Sequence, residues 1–309
     1  MSAGPYLQRL TARLIDGVDR LPLAFRARHG NWLRGRQNPD GGFSGRAGGS
    51  DLYYTGFALR GLAVLQHLEP EICERAAAFL RSRLLEPAGV IDLFSLLVGA
   101  VLTRLGGGPD VMADAPPDWP DRVAETLETF RNTDGGYMKA SGGAAGSTYT
   151  TFLVALALEL LGKPIPQPSN VERFIRSRHR AGGYVEIPQM KRAGTNPTAA
   201  AIGTLSIIDA PDDGTAAGTA DFLLRLKAES EGGLRANDRV PAADILSTFT
   251  GCWTLAELGA FDRLDAAALR EYTLALEGPT GGFRAGLWDD GYDVEYTFYG
   301  IGVLGLIAG

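Results

Sequence analysis

The sequence has only two cysteines and three histidines in 309 residues, and this scarcity excludes several kinds of site. Cys73 and Cys252 stand far apart. They cannot build a disulfide framework or a CxxC metal site, and we interpret both as small buried hydrophobic residues. The histidines, His29, His67 and His179, are equally scattered. A cluster of histidine and cysteine ligands is therefore not predicted.

Long apolar runs and basic clusters are also missing. No stretch approaches the roughly 18 apolar residues of a membrane-spanning helix, and the N-terminal segment lacks the apolar core of a signal peptide. Lysine and arginine are dispersed and the net charge is −6, which disfavours nucleic acid and anionic membranes as partners. With 45% apolar and 21% charged residues, we expect a globular cytoplasmic protein without a transmembrane segment.

Glycine, in contrast, is abundant and recurs in a pattern. A Gly-Gly pair followed by an apolar or aromatic residue begins at Gly41, Gly135, Gly182, Gly232 and Gly281. The later copies lie about 47 to 50 residues apart and the first interval is about twice as long, which predicts a degenerate copy at Ala88-Gly89. Six copies then cover the chain from about residue 22 to its end.

Each copy has a helical pattern on either side of the glycines. The pattern before them has one polar face, as in EICERAAAFLRSRLL, and predicts an outer helix. The pattern after them is apolar nearly all round, as in TFLVALALELL, and predicts an inner helix. N-caps of the inner helices are predicted at Asp51, Asp92, Thr148, Asn196, Asp244 and Asp293. Small residues that allow close helix approach follow each of them, at Ala58, Gly99, Ala155, Gly203, Gly251 and Gly300.

Six such hairpins predict an all-α fold. No single hairpin can bury its own apolar inner helix, so we expect six of them to close into an α/α toroid, an α6–α6 barrel, although an open superhelix also satisfies the pattern. We predict one domain over residues 1–309, with residues 1–21 as an N-terminal extension helix. Parallel inner helices would direct their positive ends to one mouth, which favours an anionic ligand there. Basic residues of the neighbouring loops are Arg46, Lys139, Lys191, Arg192, Arg235, Arg239 and Arg284.

Two of these motifs resemble known families. QNPDGGF, residues 37–43, resembles the QxxxGxW repeat motif of triterpene cyclases, with Phe in place of Trp. The Gly-Gly repeats are similar to those of protein prenyltransferase β subunits, and the likeness covers nearly the whole chain. The resemblance implies an α6–α6 barrel with an apolar central cavity for an isoprenoid. It also implies a helical-repeat α subunit as partner, with a homodimer as the alternative.

The prenyltransferase resemblance implies a zinc site, and there the sequence departs from the family. The positions of the Asp, Cys and His ligands correspond to Asp244, Leu246 and Tyr296. Leucine supplies no ligand atom and a neutral tyrosine supplies little, so zinc is not expected. The diphosphate-binding Arg and Lys of the family correspond to Asp238 and Pro241, although Arg235 and Arg239 are near in sequence.

The cyclase resemblance implies an acid that protonates an alkene, carried in the family by a DxDD motif. No DxDD occurs in this sequence. The segment WDDGYDVE instead brings together Asp289, Asp290, Asp293 and Glu295. Crowded carboxylates raise the pKa of at least one of them, which would provide a proton donor, and Mg²⁺ bound against a diphosphate is an alternative. A solvated loop followed by a helix cap is the third interpretation.

These positions define the candidate site residues. The catalytic candidates are Asp244, Asp293, Glu295 and Tyr296. Aromatic and apolar residues at the mouth suit a polyprenyl chain, and basic residues suit its head group. The ligand-binding candidates are Tyr53, Tyr54, Phe94, Leu246, Phe249, Trp253, Trp288, Lys191, Arg192, Arg235 and Arg239. We predict no metal ligands and expect no cofactor, with Mg²⁺ left open.

Three functions remain open from the sequence. The leading one is a prenyltransferase-like protein with a degenerate zinc site, which binds an isoprenoid or a prenyl diphosphate with or without turnover. The second is a terpene cyclase-like enzyme that uses Asp244, Asp293 or Glu295 as the acid. The third is a non-catalytic lipid-binding or protein-interaction scaffold.

Overall fold

The computed structural model describes residues 4–86, 88–140, 142–210 and 214–309, and the fold is all-α as predicted. A first helix, α1, spans Tyr6–Val18. Six outer helices follow at α2 Leu23–Arg34, α4 Pro70–Ser82, α6 Trp119–Glu128, α8 Pro168–Ser177, α10 Ala216–Arg225 and α12 Ala266–Ala275. Six inner helices alternate with them at α3 Leu52–Val64, α5 Val90–Leu105, α7 Thr148–Leu160, α9 Thr195–Ile207, α11 Ile245–Glu257 and α13 Val294–Ala308. None of the described helices is long and apolar enough to cross a membrane.

Short strands occur only in the loops of the part that the structure describes. β1, His179–Arg180, pairs antiparallel with β2, Gly183–Tyr184. β3, Phe283–Arg284, pairs antiparallel with β4, Tyr292–Asp293. The β1–β2 pair follows the outer helix α8, whereas β4 ends directly before the inner helix α13.

Burial separates the two helix types as their sequence patterns predict. In α13 every residue from Val294 to Leu306 except Tyr296 is buried. In the outer helix α8 only Val171, Phe174 and Ile175 are buried, which is the single apolar stripe expected of a helix with one wet face.

The first glycine of each Gly-Gly pair adopts a conformation that side chains disfavour. Its φ is 89° at Gly41, 94° at Gly135, 95° at Gly182, 90° at Gly232 and 106° at Gly281. Because only glycine enters this left-handed region without steric cost, the repeated pair is a requirement of the turn. The glycines therefore mark the turn between the outer helix and the loop.

A threonine one turn into the inner helix fastens this loop in five repeats. Its Oγ1 accepts the N–H of the residue after the glycine pair at 2.9–3.0 Å. The same hydroxyl donates to the carbonyl of the helix-capping residue at 2.6–2.7 Å. The five residues are Thr55, Thr151, Thr198, Thr248 and Thr297. One hydroxyl thus satisfies two buried backbone groups in each repeat.

The predicted N-caps are correct in three repeats. The carboxylates of Asp51, Asp244 and Asp293 each accept the amide N–H three residues on.

The other three predicted caps are wrong. In α7 the cap is Ser147 rather than Thr148, in α9 it is Gly194 rather than Asn196, and in α5 Asp92 is the N3 residue of a capping box that starts at Gly89. In α7 and α9 the threonine fixes the cap four residues before itself, so the first polar residue of the apolar run is not always the cap. Thr148 and Asn196 instead bind neighbouring elements, through Val185 O and the hydroxyl of Thr250.

The predicted small residues do permit close approach. A Cβ added to Gly251 would lie 2.5 Å from Cδ2 of Leu234, and a Cβ added to Gly300 would overlap the ring of Phe283. Leu234 and Phe283 are the residues that follow the glycine pairs of their repeats. The glycine in the helix therefore leaves the space into which the loop residue packs.

The chain divides into two compact units, which interrupt each other in sequence. Unit 1 comprises Met1–Arg9 and Pro120–Tyr272, and unit 2 comprises Leu10–Trp119 and Thr273–Gly309. Within unit 1, α9 packs between α7 and α11. Within unit 2, α3 packs between α13 and α5, so the last inner helix contacts the first. The prediction of a single domain over residues 1–309 stays a prediction.

The outer layer of unit 2 repeats this contact between the last repeat and the first. Glu277, which precedes the last glycine turn, binds Arg28 and lies 2.9 Å from Nε2 of His29 on α2. Nδ1 of His29 accepts the N–H of Gly282 at 3.1 Å, and its ring stacks on Phe283. Since Nδ1 accepts, Nε2 carries the hydrogen and donates to Glu277. His29 is thus a structural residue of the last turn.

Candidate functional site

Glu295 is a buried carboxyl group in the first turn of α13, only 8% exposed. Its Oε1 accepts the hydroxyl hydrogen of Tyr53 at 2.7 Å and, more weakly, that of Tyr299 at 3.3 Å. Burial raises the pKa of Glu295 above its ordinary value, and the neighbouring charge of Asp293 adds to this effect. The two hydroxyl donors and the positive charge of Arg60 act in the opposite direction. Both hydroxyl hydrogen bonds reach Oε1, so this oxygen fixes the position of the carboxyl group.

Aromatic rings surround this carboxyl group. The ring of Phe57 lies 4.9 Å from that of Tyr53 and 5.3 Å from that of Tyr299, both edge-on. Phe298, one residue before Tyr299, lies 5.7 Å from Phe57. The starts of α3 and α13 thus form one aromatic environment, and Phe94 of the neighbouring helix α5 is also buried.

Asp293 has a different role from Glu295, although it is only two residues away. Its Oδ1 accepts the N–H of Tyr296 at 2.9 Å as the cap of α13, and its Oδ2 accepts from Nε of Arg46 at 3.1 Å. Burial raises its pKa, and the amide of Tyr296 and the charge of Arg46 act against that. Both oxygens of Asp293 therefore have structural partners, the helix amide and Arg46.

Arg46 joins the loop of the first repeat to the loop of the last. Its two terminal nitrogens bind the two oxygens of Asp289, one of them at 2.8 Å, and hold the pKa of Asp289 below its ordinary value against the effect of burial. The guanidinium also lies over the ring of Tyr296, 5.2 Å from its centroid. Burial raises the pKa of Tyr296 to about 12, so its hydroxyl is neutral at ordinary pH. Asp290, by contrast, is fully exposed.

Tyr54 packs against Tyr53 and the loop of the first repeat. Its ring packs edge-on against Tyr53 at 5.3 Å, and its amide N–H donates to the cap Asp51. A Cβ on Gly45 would overlap its phenol ring. Tyr54 is thus covered by the first loop. Trp288, on the last loop, is 64% exposed and outside any cluster described here.

Unit 1 carries the residues that the resemblance assigns to zinc binding, apart from Tyr296. Asp244 caps α11, and its Oδ1 accepts the N–H of Ser247 at 2.7 Å. Burial raises the pKa of Asp244, while these amide contacts oppose it. Leu246 offers no ligand atom, and no group of three His, Cys, Asp or Glu in the described ranges could hold a metal ion. The side chains at these positions therefore do not fit zinc.

Trp253 and Phe249 are buried on α11 as expected. The indole N–H of Trp253, however, donates to the hydroxyl of Tyr6 at 2.6 Å, and the Tyr6 ring lies edge-on to Trp253 and to Phe152. The first turn of α1 thus packs onto the inner helices of unit 1. The predicted contact of Trp253 with a ligand stays a prediction.

The basic loop residues of unit 1 do not all lie together. A cleft of about 750 Å³ is lined by Ala181, Met190, Lys191, Arg192, Ala193, Phe222, Asn237, Asp238 and Arg239. Arg192 pairs with Asp238 at 2.8 Å at its edge. Arg235 is directed elsewhere, since its guanidinium donates to the carbonyls of Arg225 and Leu226 at the end of α10.

Four residues of these clusters escaped the sequence reasoning: Tyr6, Phe57, Arg60 and Tyr299. Tyr299 stands four residues after Glu295, and Phe57 four after Tyr53, which places each pair on one helix face. That spacing could have identified both. Arg60 is the one charged residue in the middle of an inner-helix sequence, which could have identified it. No sequence pattern pointed to Tyr6.

The sequence matches one protein family along most of its length. The prenyltransferase alpha-alpha toroid domain matches residues 12–88, 108–235 and 198–308. The chain belongs to this family. Its fold is accordingly the predicted α/α toroid of helical-hairpin repeats. None of the curated proteins compared matches the sequence.

Solved structures with the same fold are distant in sequence. A Candida albicans protein geranylgeranyltransferase-I in complex with GGPP has a TM-score of 0.70 at 11% identity, over 91% of this chain and 90% of that one. A type II terpene cyclase, MstE from Scytonema, in complex with geranylgeranyl dihydroxybenzoate has a TM-score of 0.59 at 14% identity, over 98% of each chain. A protein from Actinoplanes has a TM-score of 0.64 at 15% identity, over 93% of this chain and 99% of that one. At such identities the likeness shows the fold alone.

Proposed function

We propose that the protein is an enzyme that binds an isoprenoid and protonates one of its double bonds, with Glu295 as the acid. The arrangement around Glu295 carries this proposal. An alkene is a weak base, so its protonation needs a carboxyl group that stays protonated and lies close to apolar substrate. Glu295 is buried, its pKa is raised, and Oε2 can carry the proton while Oε1 is held by two tyrosines.

The two other candidate acids suit this role less well. Asp293 and Asp244 each accept a backbone N–H as a helix cap, and hydrogen bonds from amides favour the ionised form. Asp293 also binds Arg46. The hydrogen bonds to Glu295 come from the neutral hydroxyls of Tyr53 and Tyr299, and the charge of Arg60 lowers its pKa less than burial raises it. Glu295 is therefore the carboxyl group best suited to donate.

The reaction balances without a further reagent. The proton of Oε2 and the π electrons of the double bond form a new C–H bond, and the other carbon of the bond becomes a cation. Attack by a second double bond of the same chain can close a ring, and loss of a proton from a neighbouring carbon to water restores an alkene. Glu295 then takes a proton from solvent. Tyrosine and phenylalanine rings stabilise positive charge through their faces.

Two of the similar structures support an isoprenoid as the ligand, since one contains GGPP and the other geranylgeranyl dihydroxybenzoate. We therefore extend this class of ligand to the chain as part of the proposal. A helical partner subunit, a homodimer and a cytoplasmic location all stay predictions.

Incubation in D₂O tests the proposed chemistry. The purified protein is incubated with squalene, with geranylgeranyl diphosphate and with geranylgeranyl dihydroxybenzoate, and the products are analysed by mass spectrometry. A proton-initiated reaction yields a product with one non-exchangeable deuterium. A product without deuterium, formed with release of diphosphate, contradicts the assignment of Glu295 as the acid.

The variant Glu295→Gln keeps an oxygen for the tyrosines but has no acidic proton. We expect its turnover to fall about 10²- to 10⁴-fold, the usual contribution of a general acid. Asp290→Asn is the matched control, because it removes an exposed carboxylate from the same short stretch. Equal loss in both variants would show that the negative charge of the loop, rather than the Glu295 proton, is required.

A second candidate function concerns binding of a prenyl diphosphate, and the cleft of unit 1 favours it. Lys191, Arg192 and Arg239 lie on a cleft that also has the apolar Met190 and Phe222, a combination suited to a diphosphate with the start of its chain. If this is the head-group site, Lys191→Ala with Arg239→Ala should weaken binding of geranylgeranyl diphosphate and leave binding of geranylgeraniol unchanged. Equal affinities of the variant and the unaltered protein for the diphosphate would rule this site out.

A further inference from the structure

Arg60 lies in the middle of α3 among three buried phenylalanine rings. Its Cζ is 4.1 Å from the ring centroid of Phe57, 5.2 Å from that of Phe298 and 5.9 Å from that of Phe94. The three rings come from α3, α13 and α5, which are neighbouring inner helices of unit 2. We refer to Phe57, Phe94 and Phe298 as the aromatic cage.

The aromatic cage has the composition and the spacing of a cation-binding site. The face of an aromatic ring is negative, and a cation within about 6 Å of the centroid is attracted to it. A guanidinium is always charged and is weakly hydrated, so it can occupy such a position. The cage therefore already holds a cation, which the chain itself supplies.

One ring of the aromatic cage, Phe57, contacts the two tyrosines that hold the proposed acid. Phe57 contacts both Tyr53 and Tyr299, and these two tyrosines bind Oε1 of Glu295. A carbocation formed at Glu295 is therefore close to ring faces that Arg60 occupies. Since like charges repel, the guanidinium makes this cage unfavourable for the new positive charge.

We propose that Arg60 is a specificity-determining residue that occupies the aromatic cage and excludes other cations from it. This inference rests on the proposed function of Glu295. Arg60 prevents positive charge from moving along the isoprenoid into the cage. The charge stays near the carbon where it formed, and proton loss occurs there before further rings close.

The occupancy of the cage can be tested without any catalytic activity. Choline and its neutral isostere 3,3-dimethylbutanol are titrated into the full-length protein and into Arg60→Ala by calorimetry. We expect Arg60→Ala to bind choline at least about tenfold more tightly than the unaltered protein does. We expect 3,3-dimethylbutanol to discriminate little between them. Equal affinity of both proteins for choline, or equal affinity of Arg60→Ala for choline and its isostere, overturns the proposal.

Two further variants distinguish a specific role of the cage from a general effect on folding. Arg60→Lys retains the positive charge and should exclude choline as the unaltered protein does. Arg60→Ala combined with Phe57→Leu should lose the gain in choline affinity, because one ring face is gone. Circular dichroism and thermal unfolding establish that each variant is folded. Choline binding that persists in the double variant places the site elsewhere and contradicts the role of the cage.

Product analysis tests the consequence for specificity. If the unaltered protein converts an isoprenoid with uptake of deuterium, Arg60→Gln should shift its products toward those with more rings, while Arg60→Lys keeps the original pattern. An unchanged pattern in Arg60→Gln overturns the role in specificity. If no substrate is converted at all, the proposed function of Glu295 fails, and the choline titration still decides whether Arg60 occupies the cage.

Discussion

The starts of α11 in unit 1 and α13 in unit 2 follow the same template with different chemistry. Both helices have an aspartate cap that binds the amide three residues on, a threonine at the fourth position and a glycine at the seventh. Two residues after the cap, however, α11 has Leu246 and α13 has Glu295. Six residues after it, α11 has Thr250 and α13 has Tyr299.

The two helices show which residues hold the fold and which differ in chemistry. The aspartate and threonine shared by the two helices bind backbone groups. The position two residues after the cap has no such bond to the backbone of the described residues and differs in chemistry, with Leu246 in α11 and Glu295 in α13. A carboxylate in a shared position, such as Asp244, therefore has a structural explanation. Glu295 has no such explanation, which is why we assign the chemistry to it. The following predictions test this distinction, beginning with the largest expected effect.

The pH dependence of turnover should distinguish Glu295 from Asp244. A general acid acts while protonated, and the pKa of Glu295 is raised, so the rate should be constant at low pH and fall about tenfold per pH unit above that pKa. Asp244→Asn should retain the same midpoint. A midpoint that moves in Asp244→Asn, measured in the same product assay, would assign the acid to unit 1.

The glycines at the seventh position should differ in their tolerance of a methyl group. In Gly300→Ala the new Cβ overlaps the rigid ring of Phe283, whereas in Gly251→Ala it meets chiefly the flexible end of Leu234. We expect Gly300→Ala to lower the free energy of unfolding by about 1–3 kcal/mol, and by more than Gly251→Ala does. Urea unfolding measures both. The reverse order would show that the loop of the last repeat adapts more easily.

The threonine at the fourth position should matter equally in both helices. In Thr297→Val and Thr248→Val the buried N–H of Phe283 or of Leu234 loses its acceptor. We expect each to cost about 1–2 kcal/mol of unfolding free energy. Thr297→Ser and Thr248→Ser keep the hydroxyl and should lose much less in the same urea experiment. Losses as large in the serine variants would attribute the effect to the methyl group.

The two cap residues should differ least in the loss of stability that their replacement causes. Asp244→Ala and Asp293→Ala each remove a cap worth about 1 kcal/mol. Asp293→Ala also removes a partner of Arg46, a half-exposed ion pair worth at most about 1 kcal/mol more. Thermal unfolding at low and high salt should show that only the additional loss in Asp293→Ala depends on salt. Salt dependence of equal size in both variants would indicate a long-range effect of charge.

Much of the fold could be predicted because its signals are local. The glycine pairs require a left-handed turn, and the alternation of half-polar and fully apolar helices is visible in single segments. The caps Asp51, Asp244 and Asp293 were correct for the same reason. The caps of α7 and α9 were wrong, because the threonine that fixes them binds a loop residue before the helix and is one of several polar residues there. The cap of α5 was wrong because Asp92 is the N3 residue of a capping box and not the cap itself.

The candidate site was less predictable, because its residues come from opposite ends of the chain. Tyr53, Phe57 and Arg60 belong to the first inner helix, whereas Glu295, Phe298 and Tyr299 belong to the last. Glu295 was one of four carboxylates in a short segment, and nothing in that segment separated the buried one from the exposed Asp290. Trp253 was predicted to contact a ligand, but its partner Tyr6 belongs to a helix without a repeat signal.

The sequence by itself determined the repeats, the two kinds of helix and the absence of a zinc ligand set at the family's positions, because periodicity, capping and side-chain type are properties of short segments. Only the tertiary structure decided that Glu295 is held by two tyrosines and that Arg60 lies within three phenylalanine rings. Both arrangements require α13 to pack against α3. Burial and hydrogen bonding then give similar side chains different roles according to their neighbours.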